Sequence, residues 1–92
     1  MKLEDAQKKQ NLMNRLKRIE GQVRGVQNMI QEERGAHEII QQLTSIRSAI
    51  QGTSASYLQE YVKGCVQNCN CMSQEKQEEI YQDMIALICK VT

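Results

Sequence analysis

Leu12, Leu16, Ile19, Val23, Val26 and Ile30 follow one another at steps of four and three residues. Ala36, Ile39, Leu43, Ile46, Ile50, Thr53 and Tyr57 do the same. Steps of that size return side chains to one face of a 3.6-residue helix, so both runs predict helices with an apolar seam. No proline interrupts either run. With Ile40, Tyr61 and Val62 added, the second helix is apolar over a wide arc, as a central helix would be. From Ala36 to about Val66 it is a rod of about 45 Å at 1.5 Å per residue. That is longer than a 92-residue globule needs, and it suits the spine of a dimer.

A third helix is expected after Ser73, a good N-cap. Glu75, Glu78 and Glu79 suit its positive start, and Ile80, Met84, Leu87 and Val91 form its stripe. Gly35 is the expected left-handed cap of the first helix. Gly21 and Gly25 lie inside that helix, where each costs about 1 kcal/mol against Ala; they point to close backbone approach. Residues 1–11 read as a polar tail and residues 12–92 as a single all-α domain. The only aromatics are three tyrosines, and so short a chain buries only about two thirds of its unfolded surface. A thin core of this kind is usually remedied by self-association.

Charge is unevenly spread. Residues 1–34 carry eight bases against five acids, and residues 35–92 carry four against six. The positive half, with Arg15, Lys17, Arg18 and Arg24 along one helix, is where phosphate contacts are expected. Phosphate-binding glycine loops, hydrolase nucleophile arrangements and paired catalytic carboxylates are missing, so an enzyme is not expected. No apolar run is long enough for a signal peptide or membrane span, which places the chain in the cytoplasm, where thiols stay reduced.

Three of the four cysteines, Cys65, Cys69 and Cys71, fall within GCVQNCNCMS. Cys65 and Cys69 are one helical turn apart if the second helix reaches them, and Cys71 follows in the turn. Soft donors at C-x3-C-x-C suit Zn(II), Cu(I) or an iron–sulfur cluster. Cys89, far along the third helix, reads as a plain buried cysteine. His37 is the only histidine, standing at a helix start where surface and capping roles are common.

The segments LKRIEGQVRGVQNMI, TSIRSAI and YVKGCV resemble the copper-sensing operon repressor (CsoR) family, which also contains nickel/cobalt, formaldehyde and persulfide sensors. The resemblance spans about residues 12–88. It implies an all-α, three-helix protomer with a long antiparallel hairpin and a short third helix, assembled as a dimer of dimers into a flat homotetramer. It also implies a repressor that binds double-stranded operator DNA and is released by an effector. Arg15, Lys17, Arg18 and Arg47 match the family's DNA-contacting positions.

The sensory positions depart from that pattern. Where copper sensors carry a Cys, a His and a Cys, this chain has Ala36, Tyr61 and Cys65. The three-coordinate Cu(I) site therefore cannot form in its usual way. The resemblance implies instead an inter-subunit set in which His37 of one protomer approaches Cys65, Cys69 and Cys71 of another. Zn(II), Cu(I), an iron–sulfur cluster, or oxidation and persulfidation of the thiols remain open as effectors. The rival expectation is a metal-buffering or thiol-relay protein without specific DNA binding.

Overall fold

The computed structural model describes residues 6–68 and 73–91, which form three helices: α1 (Ala6–Gln31), α2 (Ala36–Asn68) and α3 (Gln74–Val91). The all-α, three-helix expectation holds, and among the described residues there is no strand. α1 begins at Ala6, ahead of the apolar periodicity, with Gln7–Asn11 and Gln10–Asn14 side-chain bonds along its first turns. The chain divides into two compact units, Leu3–Thr53 and one built on Ser54–Thr92.

In the first unit, α1 and the N-terminal part of α2 form an antiparallel hairpin. Its core is Ile19, Val26 and Ile46, with Ile39 and Ala49 packed against them. Buried Thr53 satisfies its hydroxyl by donating to the Ala49 carbonyl at 2.9 Å. Thr44 and Ser45 bond back to Ile40 and Gln41 in the same way, so a Ser/Thr-rich segment loses no donor by being helical.

Only half of each apolar stripe is covered. Ile19 and Val26, seven residues apart, face Ile39, Ile46 and Thr53, also spaced by seven. Leu16, Val23, Ile30, Leu43 and Ile50 remain 41–57% exposed. Each of these lies about 40–60° further round its helix than the packed set, at 100° per residue. In an antiparallel pair, equal rotation in the same sense brings both sets out on the same side. The hairpin thus has one apolar side that the chain itself does not cover.

The turn between α1 and α2 departs from expectation. Glu33, not Gly35, is the left-handed residue, with φ 57°, and no glycine has positive φ. The Arg34 N–H donates to the Met29 carbonyl at 3.0 Å and the Glu33 N–H to the Ile30 carbonyl at 3.1 Å. Those two bonds are the Schellman pattern, which places the left-handed residue two positions ahead of Gly35. Gly35 is instead the N-cap of α2, its carbonyl accepting from the Ile39 N–H at 3.2 Å. Glu38 stands three residues on, the acidic position of a capping box, and the Gly35 N–H is among the groups that lower its carboxyl. Gly21 and Gly25 show no close approach within the chain: a Cβ at either would meet nothing within 4 Å.

In the second unit, Ser73 caps α3 as expected, its Oγ accepting from the Lys76 N–H at 3.4 Å and its carbonyl from the Gln77 N–H at 3.0 Å. Ile80, Met84, Leu87 and Val91 are half-buried, whereas Tyr81, Ile85 and Ile88 are exposed. No described helix is long and apolar enough to cross a membrane.

Candidate functional site

The hairpin sorts its basic residues by helical phase. Arg15 and Arg18 precede buried Ile19 by four residues and one, which turns them toward the side opposite Leu16 and Val23. Arg47 follows buried Ile46 by one residue and borders the apolar side beside Leu43 and Ile50. Lys17 stands on the outer back of α1. All four are exposed, so they are available to an anionic partner, but one hairpin does not gather them onto one patch. Arg15 also has a structural engagement: its Nη1 donates to the Gly52 carbonyl at 3.2 Å, tying α1 to α2.

At the start of α2, His37 is exposed on the first turn. Beside it, the Arg34 guanidinium grips Glu38 with both arms, at 2.8 and 3.2 Å. The hydrogen bond from Arg34, its charge and the Gly35 N–H hold the Glu38 carboxyl below the usual glutamate range. Both groups are solvent-exposed, so the pair serves more to order the turn than to stabilise the fold.

The thiol region lies in the second unit. Cys65 is half-buried near the end of α2, and Tyr61 is one turn before it. The Tyr61 hydroxyl donates to Asp83 Oδ2 on α3 at 2.9 Å. That bond, partial burial and the neighbouring Cys65 thiol push the Tyr61 hydroxyl well above the usual tyrosine range. In this arrangement the phenol serves as a hydrogen-bond donor to α3.

Cys69 and Cys71 lie outside the described residues. Among the described residues no three of His, Cys, Asp and Glu are placed to hold a metal ion. Cys65 alone therefore makes no metal site there; a metal would need further donors from the GCVQNCNCMS segment or from another subunit. Cys89 is exposed, contrary to its reading as a buried cysteine, because nothing in the chain covers the face of α3 on which Ile85 and Ile88 also stand. Sequence reasoning missed the Tyr61–Asp83 bond and the Arg15–Gly52 bond. A polar side chain on one helix and an acceptor 22 or 37 residues away leave no local signal.

The described chain thus sets exposed basic residues on a helical hairpin and a half-buried cysteine near the end of α2. Residues 8–90 match the sequence model of a family described as metal-sensitive transcriptional repressor, and the chain belongs to that family. It is 38% identical over 61 residues to the copper-sensing transcriptional repressor CsoR of Bacillus subtilis, covering 66% of this chain. To the copper-sensing transcriptional repressor RicR of Mycobacterium tuberculosis it is 37% identical over 60 residues, covering 65% of this chain. The matches span 60% and 62% of those relatives' lengths.

Among solved structures, the copper-sensing repressor CsoR with Cu(I) from Geobacillus thermodenitrificans is similar at TM-score 0.84 and 30% identity. That likeness covers 98% of this chain and 92% of the other. The nickel-responsive transcriptional regulator InrS is similar at TM-score 0.78 and 26% identity, over 100% of this chain and 98% of the other.

Proposed function

We propose that this chain is a DNA-binding transcriptional repressor whose hold on operator DNA is released by an effector at an inter-subunit cysteine site. Membership of the metal-sensitive repressor family carries this reading. The sensing residues are Cys65, Cys69 and Cys71, with His37 supplied by another protomer. Arg15, Lys17, Arg18 and Arg47 contact the phosphate backbone, in keeping with their exposure on the hairpin.

The functional unit is a homo-oligomer, a tetramer of two protomer pairs. The uncovered apolar side of the hairpin, with Leu16, Val23, Ile30, Leu43 and Ile50 exposed, supports this reading, since a second copy would cover it. Oligomerisation also brings the separate basic groups of several hairpins to one duplex.

The effector is a soft transition-metal ion or a sulfur-reactive species acting on the same thiols. The relatives' names carry copper and nickel, and an iron–sulfur cluster has no counterpart among them. Such an effector acts only through the difference in its affinity for the DNA-binding and released forms. For metal–thiolate bonds a difference of a few kcal/mol is readily available.

Anaerobic purification, metal analysis and titration of the promoter duplex at several salt concentrations test the proposal. Salt-steep binding that an added metal or persulfide abolishes, and that persists in Cys65→Ser, is the expected result. Equal affinity for promoter and random duplex would leave the thiol-relay or metal-buffering reading in its place.

A further inference from the structure

The outer back of α1 carries a second periodic stripe. Gln10, Asn14, Lys17, Gly21, Arg24 and Asn28 repeat the steps of four and three, and all of them are exposed. At 100° per residue they lie about 140–180° round the helix from buried Ile19, away from the hairpin core. The stripe holds no acid and no apolar residue, and α1 as a whole sets one acid, Glu20, against six bases. Packing within the chain does not require it. A Cβ at Gly21 would meet nothing within 4 Å, and α1 begins at Ala6, ahead of its first apolar step at Leu12. The helix is thus prolonged over residues that add nothing to the core.

The stripe opens with amides that are already held in place. Gln10 Nε2 donates to Asn14 Oδ1 at 2.9 Å, and beside it Gln7 Nε2 donates to Asn11 Oδ1 at 3.2 Å. The Gln10–Asn14 bond uses one N–H and one lone pair. It leaves Gln10 a carbonyl oxygen and an N–H, and Asn14 both of its own N–H groups. Phosphate oxygens only accept, so a paired donor and acceptor is not what a phosphate asks for. It is what adenine offers in the major groove, where N6 donates and N7 accepts. A helix about 10–12 Å across with its side chains fits a groove about 12 Å wide. Side chains bonded to each other have also lost rotamer freedom that would otherwise count against binding.

The geometry points to the first turns of α1 as the element that enters the major groove of duplex DNA, with the amides of Gln10 and Asn14 reading adenine and Lys17 on a flanking phosphate. This deepens the proposed repressor role and rests on it. The basic residues of the hairpin neutralise phosphates, which are alike along any duplex, whereas base edges carry the sequence. The choice of operator therefore falls to neutral side chains.

The test titrates the full chain with its own promoter duplex and with a random duplex of equal length, at matched salt. Gln10→Ala and Asn14→Ala are each expected to weaken promoter binding about tenfold, leaving random-duplex binding and the salt slope unchanged. Lys17→Ala weakens both duplexes together and lowers the logarithmic slope by about 0.9. Asn14→Lys adds a cation, so it tightens the random duplex while losing the promoter preference. Each position is exposed, and the helix content of the variants stays at the wild-type value. Replacing promoter adenines one at a time by 7-deazaadenine, which pairs normally but lacks N7, locates the contact. The wild type loses affinity at the adenine that is read, and the alanine variants lose nothing further there.

A wild type that prefers its promoter, with Gln10→Ala and Asn14→Ala keeping that preference in full, overturns this inference alone. So does a 7-deazaadenine effect of full size in both variants at every position. Equal loss on both duplexes would assign the amides to the DNA backbone and overturns it as well. A wild type that holds promoter and random duplex alike removes the repressor reading, and the base-reading role falls with it.

Discussion

Arg15 Nη1 donates to the Gly52 carbonyl across 3.2 Å, so a residue proposed to contact DNA also helps close the hairpin. The two roles separate by substitution. Arg15→Ala should lower hairpin stability by about 0.5–1 kcal/mol and weaken operator binding together. Arg18→Ala, at an exposed position on the same side, should weaken binding while stability changes by less than about 0.5 kcal/mol. Each lost phosphate contact should reduce the logarithmic salt slope by about 0.9. Arg15→Lys keeps the charge but not the planar fork, so it should retain most of the slope and lose stability. Denaturant unfolding and salt-dependent anisotropy measure both quantities, and an Arg15→Ala chain of wild-type stability would show that the bond contributes nothing.

Glu33 sits at φ 57° with both Schellman bonds made around it. A non-glycine residue in that region is strained by about 1–2 kcal/mol, and glycine returns part of the gain as chain entropy in the unfolded state. Glu33→Gly should therefore stabilise the protein by about 0.5–1 kcal/mol in denaturant unfolding, with Glu33→Ala giving no such gain. A destabilised Glu33→Gly would mean that the turn takes a different form in solution.

These two positions also mark what a sequence can and cannot reveal here. The three helices were legible because steps of three and four recur and because Ser73 is a strong cap, although α1 starts at Ala6, ahead of its apolar steps. Which half of each stripe packs was not. Ile19 and Leu16 fit the same spacing, and only the register against Ile46 decides that one is buried and the other is not. Gly35 drew the cap reading toward itself, although hydrogen bonding by Arg34 and Glu33 sets the left-handed position upstream. At the candidate site, thiol density in the sequence points to Cys65, while the Tyr61–Asp83 bond depends on how α2 and α3 pair. Cys89 has apolar neighbours along its helix, which suggests burial, but Ile85 and Ile88 beside it are exposed with it.

The Arg34–Glu38 pair makes a pH prediction. Arg34 lowers the Glu38 carboxyl below the usual range, so the folded chain holds the carboxylate more strongly than the unfolded chain does. A depressed folded-state pKa contributes stability that is present above the unfolded glutamate value and lost as pH falls through the folded one. Wild type should thus be slightly more stable than Glu38→Gln at neutral pH, and the two should converge in acid. High salt should shrink the neutral-pH difference, because both partners are exposed. Thermal unfolding across that pH range checks it; a difference that persists in acid would show that it does not come from the Glu38 charge, since glutamine keeps an oxygen able to accept from the turn.

Ile46 and Ile50 are one turn apart on α2, yet they are 6% and 48% exposed, and they should fail in different ways. Ile46 is packed with Ile19 and Val26 inside the hairpin. Truncation to Ala removes buried methyl groups from a core of three residues and should cost about 2–3 kcal/mol, lowering the midpoint at every protein concentration. Ile50 stands with Leu43, Val23 and Leu16 on the side the chain leaves open. Lysine there leaves the packing of one hairpin intact but places a charge where a second copy would lie. Ile50→Lys should reduce the mass seen by sedimentation, and it should abolish the rise of the unfolding midpoint with concentration that an oligomer displays. An Ile50→Lys chain that sediments like the wild type would show that the apolar side is not where copies meet. The proposed gathering of Arg15, Arg18 and Arg47 onto one duplex would then need a different interface.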